Sequence, residues 1–346
     1  MTAHDQQGSA KAPDTVLAPG TSNGRVRQPR RTQRAGSPAR SIPGYPHLMV
    51  LENSPMSLHT TWRIGGPADF LVRAPTPDDL ITAVAWARDE RLPVTVIGGG
   101  SNLLVGDRGI RGLVILARTP GERAERLLTV DDCGDHVVLR AGAPAPLSWV
   151  GRYCCERGWA GMEWAVGLPG TVGGATVNNA GAHGTEQKDH LVAVVVLDNN
   201  GSVRTVERDW LAPAYRYTTL KAAARPRPDH VLEVVMRLPK ADPRELTRLA
   251  EEHAEYRRST QPTGACAGST FTNPPGDFAG RLLEAAGLKG FAVGAVAFST
   301  KHCNFIVNSG GGTAAQVREL IAIAQERVLE RFGVHLEPEI EELGEF

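Results

Sequence analysis

Two glycine-rich segments, each beside a β-like apolar run, restrict this chain more than any other feature. Val94-Thr95-Val96-Ile97 leads into Gly98-Gly99-Gly100-Ser101-Asn102, and residues 167–184 read GLPGTVGGATVNNAGAHG. Glycine lets backbone approach a ligand closely and lets N–H groups converge where a side chain would block them. Converging N–H groups form anion cradles, a common way of holding a pyrophosphate. Two such cradles predict one large dinucleotide gripped from two sides, and hence a nucleotide-cofactor enzyme. The first segment is no Walker A loop, because no Gly-Lys-Ser/Thr follows. It is no Rossmann fingerprint either, since GxGxxG is absent and Leu103-Leu104-Val105 does not read as a helix. Three glycines after a strand also suit a tight turn. Six glycines in eighteen residues, with Asn178 and Asn179 as amide donors, exceed what a turn needs.

The 346 residues suffice for two or three domains. Zero formal net charge does not favour a nucleic-acid surface. Cys133, Cys154, Cys155, Cys266 and Cys303 show neither metal-ligand spacing nor a paired framework, which reads as reduced and cytoplasmic. No apolar run reaches membrane-spanning length. Residues 1–44 are rich in Gly, Pro, Ser, Thr, Gln and Arg and read as a disordered basic tail, or as the product of a start codon placed too far upstream. Arg30-Arg31 lacks the apolar segment that an export signal requires.

Order is expected from about Tyr45. Phe70-Leu71-Val72 reads as a strand, and Pro77-Asp78-Asp79 starts a helix with Leu80, Ala83, Val84 and Ala87 on one face and Pro93 at its end. Strands follow at 94–97 and 113–116, making an α/β unit around a phosphate loop. Further strands are expected at 137–140, 191–197, 203–206 and 231–238, with a hairpin turn at Asn199-Asn200-Gly201 and a helix over about 147–157. Beyond Arg257, Asp277 is expected to cap a helix ending at Gly287. Phe305-Ile306-Val307 reads as a strand. Thr313 and Gln316 form a capping box before a helix whose buried face carries Val317, Leu320, Ile321, Ala324 and Val328.

The elements TWRIGGPAD, VIGGGSNLL, GLPGTVGGATVNNAGAHG, AYRYTTLK, AGSTFTNP, AGRLLEAAGLKG, KHCNFIVN and LEPEI occur in that order. Together they closely resemble the UDP-N-acetylenolpyruvoylglucosamine reductase family over about Met56 to Phe346. The first cradle alone would indicate only the wider vanillyl-alcohol-oxidase-type flavoproteins. The resemblance implies an α+β protein with a two-subdomain FAD-binding fold of that (PCMH) type, at 45–118 and 119–256. A C-terminal α/β substrate-binding domain at 257–346 would follow, its last residues returning to the active site. It implies a non-covalent FAD, in keeping with the lack of histidine or cysteine in the first cradle, and NADPH as co-substrate. The implied reaction converts UDP-N-acetylglucosamine enolpyruvate to UDP-N-acetylmuramate, a peptidoglycan precursor. No nucleic-acid partner and no membrane insertion are implied.

The same resemblance implies cofactor contacts from Ile97, Gly98, Gly99, Gly100, Ser101, Asn102, Gly167, Pro169, Gly170, Gly173, Gly174, Asn178, Ala180 and Gly181. Arg216 would hold the substrate carboxylate, Ser269 would donate a proton, and Glu339 would act beside Arg216. Tyr215, Asn273, Lys301 and His302 match substrate-contacting positions, while Lys221 and Arg257 are either phosphate contacts or exposed charges. Hydride addition at C3 of a vinyl ether builds charge at C2 and in its carboxylate, which a planar guanidinium matches. Glu339 either is protonated and donates a hydrogen bond, or orients Arg216 and a water. Many relatives carry lysine where Thr272 stands. No inserted segment separates Arg216 from Ser269, which resembles the shorter subtype with a more open substrate channel. An FAD-dependent alcohol or hydroxy-acid oxidase, or a catalytically silent nucleotide-binding scaffold, would share the same cradles.

Overall fold

The computed structural model describes residues 38–346 except 224, so the basic tail before residue 38 and Arg30-Arg31 lie outside the described residues. Order begins earlier than the sequence predicts. Strand β1 (Pro38–Ile42) turns at Gly44 into β2 (Tyr45–Pro55), so residues 38–44 are not tail. The sequence reading names no strand at 45–55, although Leu48 and Val50, two residues apart on one face of β2, are fully buried.

β3 (Pro67–Arg73) follows, then helix α1 (Pro77–Asp89). Thr76 caps α1 reciprocally with Asp79, and Pro77 sits where a missing N–H costs nothing. The helix ends at Asp89, short of Pro93, through Arg91 in the left-handed region. β4 (Val94–Ile97), β5 (Leu103–Val105) and β6 (Ile110–Leu116) complete this block. Its sheet has the order β1-β2-β3-β6-β4, with β3, β6 and β4 mutually parallel. A crossover through α1 is what parallel strands require.

The second block starts with the short helix α2 (Gly121–Ala124), then β7 (Leu128–Asp132), β8 (His136–Gly142), α3 (Leu147–Glu156) and α4 (Val172–Asn178). The small hairpin β9 (Gly181–Ala182) and β10 (Thr185–Glu186) leads to β11 (Leu191–Asp198) and β12 (Val203–Glu207). α5 (Thr219–Ala222), β13 (Asp229–Pro239) and α6 (Pro243–Thr260) follow. The antiparallel sheet β12-β11-β13-β8-β7 packs α3 and α4 against Val194, Val234, Met236 and Leu139, all fully buried. Leu197 and Leu232 of this sheet also join the core under α1, so the first two sheets share packing. The 18-residue helix α6, capped by Asp242, buries only Leu246, Ala250 and Ala254. So thin an apolar stripe left it unread in the sequence.

The last block holds β14 (Ala265–Cys266), α7 (Ala279–Ala285), β15 (Ala292–Val293), β16 (Val296–Phe298), β17 (Ile306–Asn308), α8 (Ala314–Phe332) and β18 (Glu341–Leu343). The sequence places Asp277 as the cap of α7. The cap position is Phe278 instead, and the Ala279 N–H is met by the Asn273 side chain at 3.0 Å. Asp277 bonds the Phe278 N–H and Arg281. α8 carries the expected capping box of Thr313 and Gln316, reinforced by Asp107, whose carboxylate accepts from the N–H groups of Ala314 and Ala315. Trp62 is fully buried in the C-terminal core, its indole donating to the Ile306 carbonyl at 2.7 Å. β18 returns to pair in parallel with β5, Glu341 opposite Leu103.

Candidate active site

Where the glycine-rich segments meet, the fold leaves a cleft of about 360 Å³. β4 ends at Ile97 with its hydrogen bonds made, and the chain turns through Gly98–Asn102. None of these five residues donates its N–H to another group among the described residues, while their carbonyls at Gly100, Ser101 and Asn102 accept from Thr61, Gly268 and Glu341. Carbonyls tied down and N–H groups free is the arrangement of an anion cradle. Gly99 lies against Gly170, where a Cβ would stand 2.7 Å from the Gly170 Cα.

The second segment divides into a wall and a pair of donors. The N–H groups of Val172 and Gly173 are spent on the carbonyls of Ala145 and Ala143, and those of Gly174 and Ala175 on the side chain and carbonyl of Thr171. Gly173 is glycine because a Cβ there would meet the Ala143 Cβ at 2.7 Å. Residues 172–175 therefore supply a close wall, while the N–H groups of Gly170 and Thr171, like those of the first segment, have no acceptor among the described residues. The amides of Asn178 and Asn179 are also committed. Asn178 donates to the Gly174 carbonyl and accepts from Asn102, and Asn179 donates to the Ala214 carbonyl at 2.7 Å. Of the residues expected at the cofactor, Gly167 alone stands outside the cleft lining.

Arg216 reaches the cleft from the turn between β12 and α5, its own backbone in the left-handed region at φ 54°. Its Nε donates to Glu339 Oε1 at 2.8 Å and one terminal nitrogen to the Gly181 carbonyl at 2.9 Å. Glu186, which the sequence reading passed over, lies 3.7 Å away. Tyr215 is half exposed, its ring 5.0 Å from the Arg216 guanidinium, outside the cleft lining. Glu339 is held by its backbone. Its N–H donates to the Thr270 carbonyl at 2.8 Å and its carbonyl accepts from the Asn102 side chain at 3.1 Å. Burial raises the proton affinity of its carboxyl, against the opposing pull of Arg216 and Lys221. Lys221 Nζ donates to the Arg216 carbonyl at 3.1 Å, and burial lowers its pKa.

The Glu339–Thr270 bond brings Ser269 beside this pair. Ser269 lines both the large cleft and an adjoining cavity of about 310 Å³ that Asn273, Lys301 and His302 also line. Asn304 fixes the loop by bonding the Phe271 N–H and carbonyl. Asn273 spends its oxygen on the Ala279 N–H, and Lys301 Nζ donates to the Arg258 carbonyl at 2.6 Å. Burial lowers the pKa of His302 and pushes the Cys303 thiol up to about 12. Thr272 donates to the Glu337 carbonyl. Arg257 lines the large cleft with no ion-pair partner among the described residues.

Two α+β subdomains meeting on a glycine-lined cleft, under a smaller third sheet, define a two-subdomain flavoprotein of the vanillyl-alcohol-oxidase type. Residues 68–207 match the family "FAD binding domain", and residues 261–343 match "UDP-N-acetylenolpyruvoylglucosamine reductase, C-terminal domain". The chain is 43% identical over 302 residues to UDP-N-acetylenolpyruvoylglucosamine reductase of Chloroflexus aggregans, covering 85% of this chain and 97% of that protein. It is 43% identical over 310 residues to the same-named protein of Agathobacter rectalis, covering 87% and 96%. The crystal structure of UDP-N-acetylenolpyruvylglucosamine reductase (MurB) from Thermus caldophilus superposes with a TM-score of 0.69 at 34% identity, over 86% of this chain and 99% of that one. The chain belongs to the UDP-N-acetylenolpyruvoylglucosamine reductase family. It is an FAD-dependent oxidoreductase.

Two observations fit FAD to this cleft. The N–H groups of Gly98–Asn102 are free, and the buried Nε of Arg227 on the cleft wall has no hydrogen-bond partner among the described residues. Both suit an anionic dinucleotide.

Proposed function

We propose that this chain reduces UDP-N-acetylglucosamine enolpyruvate to UDP-N-acetylmuramate, with NADPH as electron source, and that Arg216, Ser269 and Glu339 carry the substrate chemistry. The observation that carries the reading is the convergence of these three residues at one end of the glycine-lined cleft. Bound FAD supplies a two-electron carrier that accepts hydride from NADPH and can return it to an electron-poor carbon.

The chain's own residues do the rest. Addition at C3 of the enolpyruvyl group shifts negative charge onto C2 and its carboxylate. Arg216 is suited to hold that carboxylate, because its guanidinium is planar and fixed by Glu339, Glu186 and the Asn179 and Gly181 carbonyls, and so reorganises little when charge develops. Ser269 delivers a proton to C2. Its hydroxyl is a weak acid, but the carbon is a strong base, so position matters more than acidity. Glu339 works as a neutral acid when a substrate carboxylate shares Arg216. Its burial favours the protonated form, which donates where an ionised carboxylate would repel. The division into subdomains 45–118 and 119–256 with a substrate domain from 257 belongs to the same reading. Five free cysteines support a reducing cytoplasm as its setting.

The test is anaerobic reduction of the purified protein with NADPH, then addition of the enolpyruvyl substrate. Flavin absorbance should bleach and return. Bleaching without return would refute the substrate assignment and leave the cofactor standing.

A further inference from the structure

Glu341 is buried at the start of β18, where its backbone N–H donates to the Asn102 carbonyl at 2.9 Å. Its carboxylate therefore sits beside the Gly98–Asn102 cradle. A single oxygen of it accepts from Arg225 and, at 2.5 Å, from Arg227. The two arginines come from Arg225-Pro226-Arg227-Pro228, the segment entering β13. Both arginines face Glu341, to which each donates. Arg225, Arg227 and Glu341 all line the large cleft.

This cluster is not balanced. Arg225 and Arg227 share Glu341, while Glu339 is engaged with Arg216 and Asp229 with Arg204. His230, beside Arg227 on the same wall, is held neutral by burial and by that guanidinium. Positive charge thus exceeds negative charge on a half-buried wall, and Arg227 keeps there a buried Nε donor with no hydrogen-bond partner among the described residues. Buried donors are normally paired, and an uncompensated buried cation is costly. An anion in the cleft resolves both.

We propose that Arg227 binds the pyrophosphate of the dinucleotide together with the Gly98–Asn102 N–H groups, and that Glu341 is the positioning residue that delivers it. Arg227 donates its free Nε to a phosphate oxygen. Glu341 holds one terminal nitrogen of Arg227 and so limits how the guanidinium can turn. The same carboxylate ties the C-terminal strand to the cofactor wall. The assignment rests on the FAD reading of the cleft.

The experiment measures FAD affinity of the full chain by flavin fluorescence on dilution and re-titration, across a salt series. Arg227→Gln should weaken FAD by about ten- to hundredfold, the loss of one charge-assisted hydrogen bond. It should also flatten the dependence of affinity on salt, which a merely structural defect would not do. Glu341→Gln should weaken FAD less, by about three- to tenfold, because glutamine still accepts from one arginine. Arg227→Lys, which keeps the charge but has no Nε, should bind more weakly than wild type with its salt slope preserved, and it decides the case if Arg227→Gln does not fold. Wild-type affinity in Arg227→Lys, or weaker binding of Arg227→Gln with an unchanged salt slope, would overturn the assignment alone. Wild-type protein that bound no FAD would remove the cofactor reading as well.

Discussion

Replacing Gly99 by alanine tests how the cleft is closed. The added Cβ would stand 2.7 Å from the Gly170 Cα and 3.2 Å from its nitrogen, about 0.7 Å inside ordinary contact. Both neighbours are backbone, so no side-chain rotation relieves the clash. The Gly98–Asn102 turn is pinned from behind, by Thr61 on the Gly100 carbonyl and Glu341 on the Asn102 carbonyl. Gly170 is held by the Leu147 N–H on its carbonyl. One of these contacts must yield. Overpacking of this kind costs about 1–3 kcal/mol, which corresponds to about 5- to 150-fold in an equilibrium. If the loss falls on the cradle, FAD affinity drops by that factor while the apoprotein melts nearly as wild type does. If it falls on the packing, the melting temperature drops by a few degrees per kcal/mol, as about 2–4 °C does for chains of this order of size. Flavin titration and thermal melts of the apoprotein separate the two. Wild-type FAD affinity together with a wild-type melting temperature would show that the segments are not locked against each other, and the account of the cleft would fail.

Ser269→Ala should leave NADPH reduction of the flavin intact and slow reoxidation by substrate, by about a hundredfold or more; equal loss in both half-reactions by stopped flow would rule out its role. Asn102→Ala removes the 3.1 Å bond to the Glu339 carbonyl and the 3.2 Å bond to Asn178. It should cost about 1 kcal/mol per bond, and substrate turnover should fall about tenfold with flavin reduction unchanged. His59 and His230 are lowered to about 4, mainly by burial, with Arg118 beside the first and Arg227 beside the second. Both stay neutral in the fold while an unfolded histidine takes its proton near 6.5. Their contribution is present above that value and lost as pH falls toward 4, at up to about 3 kcal/mol each. A denaturation midpoint that stayed flat from pH 7 to 4.5 would contradict this.

Much of the fold was legible because its cues were local. Thr76, Pro77 and Asp79 announce α1, and Thr313 and Gln316 announce α8. Asn199-Asn200-Gly201 sets the hairpin register of Leu197 opposite Val203. The glycine segments located the cleft, but a glycine that frees an N–H and a glycine that admits a neighbour read alike. That is why the close wall at 172–175 reads as part of a donor cradle. The exposed face of α6 hid a whole helix, and Asn273 rather than Asp277 serves α7 through a bond over six residues. Arg216, Ser269 and Glu339 stood out only through their motif contexts. Glu186, Arg225, Arg227 and Glu341 carried a fainter signal. All four are single charges with no distinctive motif around them. Their meeting spans over a hundred residues and is set by tertiary packing.

The parallel pairing of β18 with β5 has a consequence for how this protein comes into being. Glu341 hydrogen-bonds beside Leu103 across most of the described chain, a contact of very long sequence separation. Such contacts form late, after shorter loops have closed. The nascent polypeptide can assemble its first sheet, and the walls of its second, while the strand carrying Glu341 does not yet exist. The strand edge that Glu341 completes is therefore added to a glycine-lined cleft whose two segments are already made.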